Sequence, residues 1–438
     1  MSEKGLAVKT FKVVRGMRDF PPKEAEMLRF VEGKARKIAH LYGYKEVITP
    51  VVESYELLAA KSGEELRSRM YVFKDLGGRN VALRPEFTSS VARLVATTMR
   101  NDPKPLRLFC AGSLYRYDEP QKGRFREFWQ SNFELMGSEK PEADAEIILL
   151  TNSLMKSVGL RNYVFKISHI GILRGILNRE GLDEDTQNKA MQLLDKKEYK
   201  EAISVVEEAG ASDKCLNVLR RLLEIRGSNF HDILAEMKGL LKEYGEASQA
   251  VERFAEVLRL VSEAQALNMV VDAGFARGLE YYTGIIFEVN VPELDIALAG
   301  GGRYDKLVEL FGGEPTPAVG VAHGLDRIML AMQEQKVVVG SDEEKEKKVM
   351  VIPASETLKK EALRISELLR AEGIPVEVEV MGRKIAKALE DADRRKISLV
   401  VIIGEKELKD GAVTLKYMRS REQVIVKIED LAKAIKSA

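Results

Sequence analysis

The feature that most constrains the fold is a pair of strand-forming runs, residues 106–118 and 124–136, on either side of the polar turn 119–123. This arrangement predicts a long antiparallel hairpin. Side chains alternate along a strand with a period of two, so the second run has an aromatic and polar face and an opposite, mostly apolar face. The first face carries Phe128, Gln130, Asn132 and Glu134; the second carries Trp129, Ser131, Phe133 and Leu135. The polar face suits either a solvated sheet surface or a platform that holds a base beside a small polar ligand.

The rest of the chain before residue 340 combines segments with strand-forming sequence and one long helix-forming block. Residues 23–42 are expected to form a helix, and Tyr44–Val52 a strand that ends near Pro50. Residues 171–266 are charged and helix-forming, and strand-like sequence resumes over 270–302. A helical block between two halves of a β-rich core indicates an insertion.

The charged stretch of residues 340–348 has nothing apolar to bury and predicts a solvated linker or an exposed helix end. Beyond it, strands and helices alternate, which predicts a small α/β domain with a largely parallel sheet. The expected strands are 349–353, 376–380 and 399–403, and the expected helices are 356–371 and 384–393.

The charge balance excludes a protein that coats nucleic acid or anionic lipid by bulk charge, because the whole chain carries a net charge of only +1. That total conceals a division. Residues 345–438 contain 21 basic and 16 acidic residues, a net of +5, whereas residues 1–344 contain 48 and 52, a net of −4. The basic surplus lies on the separable C-terminal module.

The two cysteines, Cys110 and Cys215, form no CxxC pair, and the first thirty residues lack a signal layout. No apolar run approaches the ~20 residues that a membrane span needs. A soluble, cytoplasmic protein without a membrane partner is expected.

Common phosphate-loop, zinc-protease and serine-hydrolase motifs are missing, and the four histidines do not cluster, so we expect no metal site formed by the protein.

Three further segments could form a ligand site, although each also has a structural explanation. Residues 276–284 read ARGLEYYTG, in which adjacent tyrosines and a turn could simply pack. Residues 298–305 contain three consecutive glycines, which permit close approach of the backbone to a ligand or form a tight corner. Residues 320–327 predict the glycine-rich start of a helix, with Arg327 about one turn from its beginning.

The order and spacing of these segments resemble the class II aminoacyl-tRNA synthetases, and specifically the histidyl-tRNA synthetase family, over nearly the whole chain. Residues 14–21, VRGMRDFP, resemble the family's N-terminal signature. Residues 42–53 resemble class motif 1, 115–136 motif 2 and 318–329 motif 3. Residues 83–88, LRPEFT, and 277–282, RGLEYY, are similar to stretches diagnostic of the histidine family.

The resemblance implies an α+β fold in which a class II catalytic core is built on an antiparallel sheet, with a helical insertion and a C-terminal α/β anticodon-binding domain. The implied boundaries are 1–170 and 267–335 for the core, 171–266 for the insertion, 336–348 for the linker and 349–438 for the anticodon-binding domain. A homodimer is implied as well, because the proline of motif 1 lies at the family's dimer interface.

The implied reaction joins histidine to ATP to give histidyl-adenylate and pyrophosphate, and then transfers histidine to the 3′ end of its tRNA. ATP is a substrate, and Mg²⁺ is expected on its phosphates. In the family pattern Arg116 and Arg277 contact the α-phosphate and the histidine carboxylate, and Arg327 holds the γ-phosphate. Phe128 stacks on adenine. Asp118 stands where the family usually has Glu, which leaves Asp118, Glu119 or a water to meet the adenine amino group.

The same resemblance implies the histidine pocket. Its α-amino side would be formed by Glu86, Thr88 and Gln130, and its imidazole side by Glu134, Tyr281 and Tyr282. Glu280, where the family usually has Asp, is interpreted as a supporting residue. Arg124 and Arg126 on the motif 2 loop are expected to touch the acceptor end of the tRNA.

Two alternatives remain at this stage. Regulatory paralogues with this core bind histidine without charging tRNA, but they lack the C-terminal module and tend to lose the ATP-facing arginines, all of which are present here. A class II synthetase for another amino acid is the second alternative, against which the 277–282 segment argues.

Overall fold

The computed structural model describes residues 11–294, 296–338 and 348–438. The chain divides into two compact units, residues 1–337 and 338–438, and each is described by itself. Most of the expected linker, 336–348, lies outside the described residues. None of the helices in the described ranges combines the length and the apolar character that a membrane crossing requires.

The first unit is organised around a large sheet, which has nine strands within the described residues, in the order β1-β5-β6-β12-β11-β10-β7-β9-β8. Neighbouring strands are antiparallel except for β1 with β5 and β7 with β9. The antiparallel core expected from the sequence is therefore confirmed. The strands are β1 (Lys45–Glu46), β5 (Leu106–Tyr115), β6 (Glu127–Met136), β7 (Val164–His169), β8 (Arg226–Gly227), β9 (Met269–Asp272), β10 (Ile285–Asn290), β11 (Ala297–Arg303) and β12 (Ala318–Gly324).

The expected hairpin is present. Strands β5 and β6 pair from Leu106 opposite Met136 to Tyr115 opposite Glu127. Phe133 packs edge-on against Phe109 of β5 and against Tyr44, with ring centroids 5.0 and 5.4 Å apart. The apolar face of β6 thereby enters the core, which leaves the opposite face for the site.

Residues 44–52 do not form the single strand that was expected. The chain instead leaves the large sheet after β1 and enters a separate sheet of order β2-β4-β3, whose strands are β2 (Val52–Ser54), β3 (Val72–Lys74) and β4 (Asn80–Leu83). Pro50 has no N–H for a strand ladder. The carbonyls of Thr49 and Pro50 accept hydrogen bonds from Nη1 of Arg84, at 2.7 and 3.4 Å, instead of from a neighbouring strand.

The helical block connects two strands that are paired with each other, β7 and β9, so it is a crossover of unusual length. Its helices begin at local caps: Asp183 accepts from the N–H of Thr186 and Ser212 from that of Cys215. The block contains α6 (Ile170–Arg179), α7 (Glu184–Asp195), α8 (Tyr199–Glu208), α9 (Asp213–Glu224), α10 (Phe230–Leu240) and α11 (Gly245–Ala264). The other helices of the unit are α1 (Pro22–Leu41), α2 (Tyr55–Ala59), α3 (Glu64–Ser68), α4 (Thr88–Ala96), α5 (Pro141–Ser157), α12 (Leu307–Leu310) and α13 (Leu325–Glu334).

The second unit has a mixed sheet rather than the largely parallel one expected. Of its pairings in the order β14-β13-β15-β16-β17, the first two are parallel and the last two antiparallel. The five residues between β16 and β17 are too few for a parallel crossover, which needs a dozen or more. The strands are β13 (Val349–Pro353), β14 (Val376–Val378), β15 (Leu399–Ile403), β16 (Ala412–Tyr417) and β17 (Gln423–Lys427).

Helices cover both faces of this sheet. Residues of α14 (Lys359–Ala371) and α17 (Ile428–Ser437), including Ile365 and Leu431, join one core cluster. Residues of α15 (Ile385–Arg394), including Ala388 and Ala392, join the other. A short 3₁₀ helix, Glu356–Leu358, precedes α14, and α16 (Glu405–Lys409) follows β15.

Candidate active site

One cavity of the first unit gathers nearly all the residues that the sequence singled out. It encloses about 950 Å³ of space, counting the part that opens to solvent. Strands β6, β11 and β12 form its floor, and the hairpin loop, the 277–282 segment and the start of α13 form its walls. The expected site residues that line it are Glu86, Thr88, Arg116, Asp118, Arg124, Phe128, Gln130, Arg277, Tyr281, Tyr282 and Arg327.

The arginines of this cavity are positioned by backbone and side-chain acceptors. Arg116, one residue after β5, donates from Nε to the carbonyl of Pro85 at 2.9 Å, and its guanidinium lies 5.1 Å from the centroid of the Phe128 ring. Arg327 donates to the carbonyls of Gly123 and Ala297, at 3.2 and 2.9 Å. These contacts fix the guanidinium groups without neutralising them.

Arg277 has a carboxylate partner. Its Nη1 donates to Oε1 of Glu288 on β10 at 2.7 Å, and its buried Nε has no hydrogen-bond partner among the described residues. Burial is the largest single influence and would lower the pKa of Arg277, but Glu288, together with Tyr282, Asp195 and Tyr281, more than offsets it and raises the pKa. Arg277 therefore stays charged and keeps donors available for a ligand.

The cavity carries an excess of positive charge. The pKa of Arg327 is lowered to about 10, first by burial and then by the positive charges of the three other cavity arginines. Of the carboxylates on the walls, Asp118 pairs with Arg69 at 3.1 Å, whereas Glu86 keeps its charge and accepts from the backbone N–H groups of Thr88 and Ser89. A cavity of this kind fits a polyanion.

Glu134 lies below the cavity floor. Its carboxylate accepts from Oγ1 of Thr88 at 2.8 Å, from Nδ2 of Asn132 at 3.3 Å and from the hydroxyl of Tyr304. Burial raises the pKa of Glu134 to about 7, although these hydrogen bonds oppose the shift. Room for the carboxylate comes from Gly320 on the paired strand β12, because a Cβ there would lie 1.7 Å from Oε2 of Glu134.

Tyr304 is a cavity residue that the sequence did not assign. It packs 5.7 Å from Tyr281, which in turn lies 4.9 Å from Tyr282, centroid to centroid. Burial raises the pKa of all three hydroxyls, so they remain neutral hydrogen-bonding groups. Its position two residues after the glycine run could have identified Tyr304 as a candidate from the sequence.

The glycine run is neither a corner nor an exposed loop, because all three glycines lie inside β11. A Cβ on Gly300 would lie 2.4 Å from Nη1 of Arg277. A Cβ on Gly301 would meet the carbonyl of Gly320 at 2.4 Å, and one on Gly302 the carbonyl of Ile285 at 2.5 Å. The glycines let other groups cross close to the sheet, and Gly300 in particular makes room for Arg277.

The loop that carries Arg277 is held from the helical block. Oδ2 of Asp195, the last residue of α7, accepts from the N–H of Gly278 at 2.9 Å. Nε2 of Gln192 donates to Oε1 of Glu280 at 3.2 Å. Glu280, inside the 277–282 segment, thus contacts the helical block.

Arg126 and the core histidines lie apart from the cavity surface. Arg126 is buried, donates from Nε to the carbonyl of Asp118 at 3.1 Å and stacks 3.7 Å from the Tyr117 ring centroid. The expected contact between Arg126 and tRNA does not fit this position, whereas Arg124 is exposed at the cavity. Burial lowers the pKa of His169 and His323 to about 3, so both are neutral core residues.

The mostly antiparallel sheet, the hairpin with Arg116 at its end and the strand-to-helix step with Arg327 define the class II aminoacyl-tRNA synthetase fold. The family profile described as histidyl-tRNA synthetase matches residues 16–328, and that of an anticodon binding domain matches 348–438. The chain belongs to the histidyl-tRNA synthetase family.

Individual relatives agree with this assignment. A Methanocaldococcus jannaschii protein named histidine–tRNA ligase is 42% identical over 424 residues, which cover 96% of this chain and 98% of that protein. The apo histidyl-tRNA synthetase of S. aureus is 26% identical with a TM-score of 0.73, over 98% of this chain and 100% of that one. A Bacillus halodurans structure described as an ATP phosphoribosyltransferase regulatory subunit/histidyl-tRNA synthetase has a TM-score of 0.74 at 26% identity, over 87% of this chain and 97% of that one.

Proposed function

We propose that this chain activates L-histidine with ATP, giving histidyl-adenylate and pyrophosphate, and then transfers the histidyl group to the 3′-terminal ribose of its tRNA. The observation that carries the proposal is a single cavity lined by four arginines and neighbouring tyrosines, with the buried carboxylate of Glu134 beneath its floor. The arginines suit a triphosphate, and the carboxylate and phenols suit a small polar ring.

In the first step a carboxylate attacks an α-phosphate that is also negatively charged. We propose that Arg116 and Arg277 neutralise this repulsion and stabilise the charge that grows on the phosphoryl oxygens. Arg327 would bind the γ-phosphate, because an always-charged fork matches phosphate oxygens bidentately. The separation of 5.1 Å between Arg116 and the Phe128 ring supports an adenine stacked on Phe128 next to its own α-phosphate.

For the adenine amino group, Asp118 is the better candidate. Asp118 lines the cavity, whereas Glu119 is exposed and pairs with the exposed Arg15 at 2.7 Å. The ion pair with Arg69 leaves other lone pairs of the Asp118 carboxylate available.

For the histidine substrate, we propose that Glu86, Thr88 and Gln130 bind the α-amino group. Oε1 of Gln130 is buried with no partner among the described residues, so it is available as an acceptor. Glu134, Tyr281 and Tyr282 would face the imidazole. A site made of such groups rejects apolar analogues, because its own polar groups would be left unpaired.

Glu134→Gln is expected to raise the KM for histidine about tenfold or more at pH 8, and the difference from wild type is expected to shrink below pH 7. The reason is that Glu134, with a pKa of about 7, is an ionised acceptor above pH 7 and a protonated group below it. The measurement is the pH profile of the histidine KM for both proteins. A constant difference across pH 6–8 would contradict the role.

Protein stability provides the control for that experiment. A carboxyl group whose pKa is raised in the folded state stabilises the fold at low pH, and this stabilisation is lost as the pH rises through 7. The Tm of Glu134→Gln at pH 8 should therefore equal or exceed that of wild type. Glu252→Gln, an exposed partner of Lys238, should leave both Tm and KM unchanged.

The second unit would bind the anticodon region of the tRNA, as its family profile describes, and residues 345–438 within it carry a net charge of +5. Arg124, exposed at the cavity, would contact the acceptor end. We retain no tRNA role for Arg126, because its side chain is buried against Tyr117.

We further propose that the chain is a homodimer. The sheet β2-β4-β3 and the chain entering it expose apolar side chains, including Ile48, which is 88% exposed, and Phe73, which is 45% exposed. Val51, Val52, Val72 and Leu76 in the same part of the chain are exposed as well. Exposed apolar surface of this kind marks an interface, and its position after the motif 1 proline favours a second copy of this chain.

Phe73→Glu is expected to convert the dimer to a single chain of 49.1 kDa, measured by light scattering after size exclusion. The buried charge would have no partner at the interface. Tyr199→Glu, which changes a residue of similar exposure (39%) on the helical block, should stay dimeric. A dimeric Phe73→Glu variant would contradict this placement of the interface.

Mg²⁺ usually binds substrate phosphates together with one or two carboxylates, so it needs no dedicated cage of protein ligands. Within the described ranges no group of three or more His, Cys, Asp or Glu side chains is arranged to hold a metal ion. We propose that Mg²⁺ arrives bound to the ATP phosphates, and none of the roles above depends on it.

The function is tested by incubating the full chain with ATP, labelled histidine and tRNA for histidine. Labelled histidine linked to tRNA is the expected product. A regulatory paralogue would bind histidine and leave the tRNA uncharged, an outcome that would overturn the proposal.

A further inference from the structure

The N-terminal signature, residues 14–21, has so far no role in the reaction. In the structure it runs along the hairpin loop 116–126. The carbonyl of Gly16 accepts from the N–H of Arg126 at 2.9 Å, and Nη1 of Arg126 donates to the carbonyl of Arg15 at 3.4 Å. Gly16 has φ of +84°, and a Cβ there would lie 2.6 Å from Cδ of Arg126. The signature is therefore docked on the loop by contacts that only glycine permits.

Arg18 makes the most specific contacts of this segment. Its guanidinium carbon lies 3.7 Å from the centroid of the Phe125 ring and 4.4 Å from that of Phe20. The same guanidinium forms an ion pair with Asp326, whose side chain is only 3% exposed, while that of Arg18 is 25% exposed. Stacking and charge pairing by one partly buried arginine give a well-defined geometry.

Two of the three groups that Arg18 contacts, Phe125 and Asp326, belong to the walls of the cavity. Phe125 lies in the loop that carries Arg124, and Asp326 directly precedes Arg327 in the first turn of α13. Asp326 also accepts from the backbone N–H of Trp129, next to Phe128 on β6. Arg18 thus bridges the two segments that supply the arginines for the phosphates.

We propose that Arg18 is a positioning residue for ATP, holding the hairpin loop 116–126 and the start of α13 together so that Arg116 and Arg327 converge on the triphosphate. The proposal rests on the proposed function, because it assigns ATP to this cavity. The histidine pocket is not bridged in this way, since Glu134, Thr88 and Tyr304 are held by their own hydrogen bonds. The effect of losing Arg18 should therefore fall on ATP.

The test compares steady-state ATP–pyrophosphate exchange by the full chain with that of Arg18→Ala, Arg18→Lys and Arg15→Ala. Arg18→Ala is expected to raise the KM for ATP about tenfold and to change the KM for histidine less than twofold. Arg18→Lys keeps the charge opposite Asp326 but loses the planar stack, so we expect an ATP KM raised about threefold. Arg15→Ala removes only an exposed pair and should match wild type.

The outcomes separate the possible failures. An unchanged ATP KM in the folded Arg18 variants, or equal increases in the KM values for ATP and histidine, would overturn the positioning role in favour of a purely structural one. If Arg18→Ala does not fold, Arg18→Lys decides alone by the same criterion. Absence of exchange in the wild-type protein would instead overturn the proposed function.

Discussion

Arg277→Ala is expected to lower the rate of histidine-dependent ATP–pyrophosphate exchange by about 10²–10³-fold, the loss typical of removing one positioned donor from a transition state. Arg277 reaches the cavity from a loop held by Asp195, and its charge is maintained by Glu288. Because its contribution grows with the charge on the phosphoryl group, kcat should fall more than the KM for histidine rises.

Two controls accompany Arg277→Ala: a variant that removes an exposed arginine, and a measurement of Tm. Arg220→Ala removes an exposed arginine from α9 and should leave exchange unchanged. Removing Arg277 leaves Glu288 without its hydrogen-bonded partner, so Tm is expected to fall modestly while the fold persists. Exchange within threefold of wild type would show that Arg277 does not stabilise the transition state.

Gly300→Ala is expected to lower the same exchange rate by about 10²-fold, although every side chain proposed to bind substrate is left unsubstituted. The new Cβ would lie 2.4 Å from Nη1 of Arg277 and 2.8 Å from its Cζ, so the guanidinium has to move. A displacement of about an ångström at a catalytic group has effects of this size. Single-turnover adenylate formation measures it directly.

Alanine substitutions at two other glycines serve as comparisons for Gly300→Ala. Gly33→Ala, on α1 with nothing within 4 Å of the added Cβ, should be active and at least as stable as wild type. Gly301→Ala would place its Cβ 2.4 Å from the backbone carbonyl of Gly320, and is expected to destabilise the sheet as a whole. A fully active Gly300→Ala protein would mean that Arg277 has an equally good alternative position.

The hairpin shows what could be predicted from local sequence. Strand alternation depends only on neighbouring residues, and it placed Phe128, Gln130 and Asn132 on one face, which lines the cavity. That face is not a solvated surface, because β12 and the 277–282 segment complete an enclosed site beside it. The choice between the two interpretations depended on strands far away in the sequence.

Other differences between the structure and the expectations from the sequence also arise from contacts between distant parts of the chain. Arg124 and Arg126 have similar local sequence, yet only Arg126 is buried, because the segment around Gly16 pairs with its backbone. Three consecutive glycines suggest a turn, but here they accommodate groups from Arg277, Gly320 and Ile285. The antiparallel end of the C-terminal sheet arises from the short β16–β17 connection.

The most direct test of the central claim is ATP–pyrophosphate exchange by the full chain with each of the twenty amino acids in turn. The account predicts exchange with histidine and rates at least about 10³-fold lower with the others, since a site with a buried carboxylate and phenols leaves its polar groups unpaired around other side chains. Binding of histidine without exchange, or equal exchange with another amino acid, would contradict it.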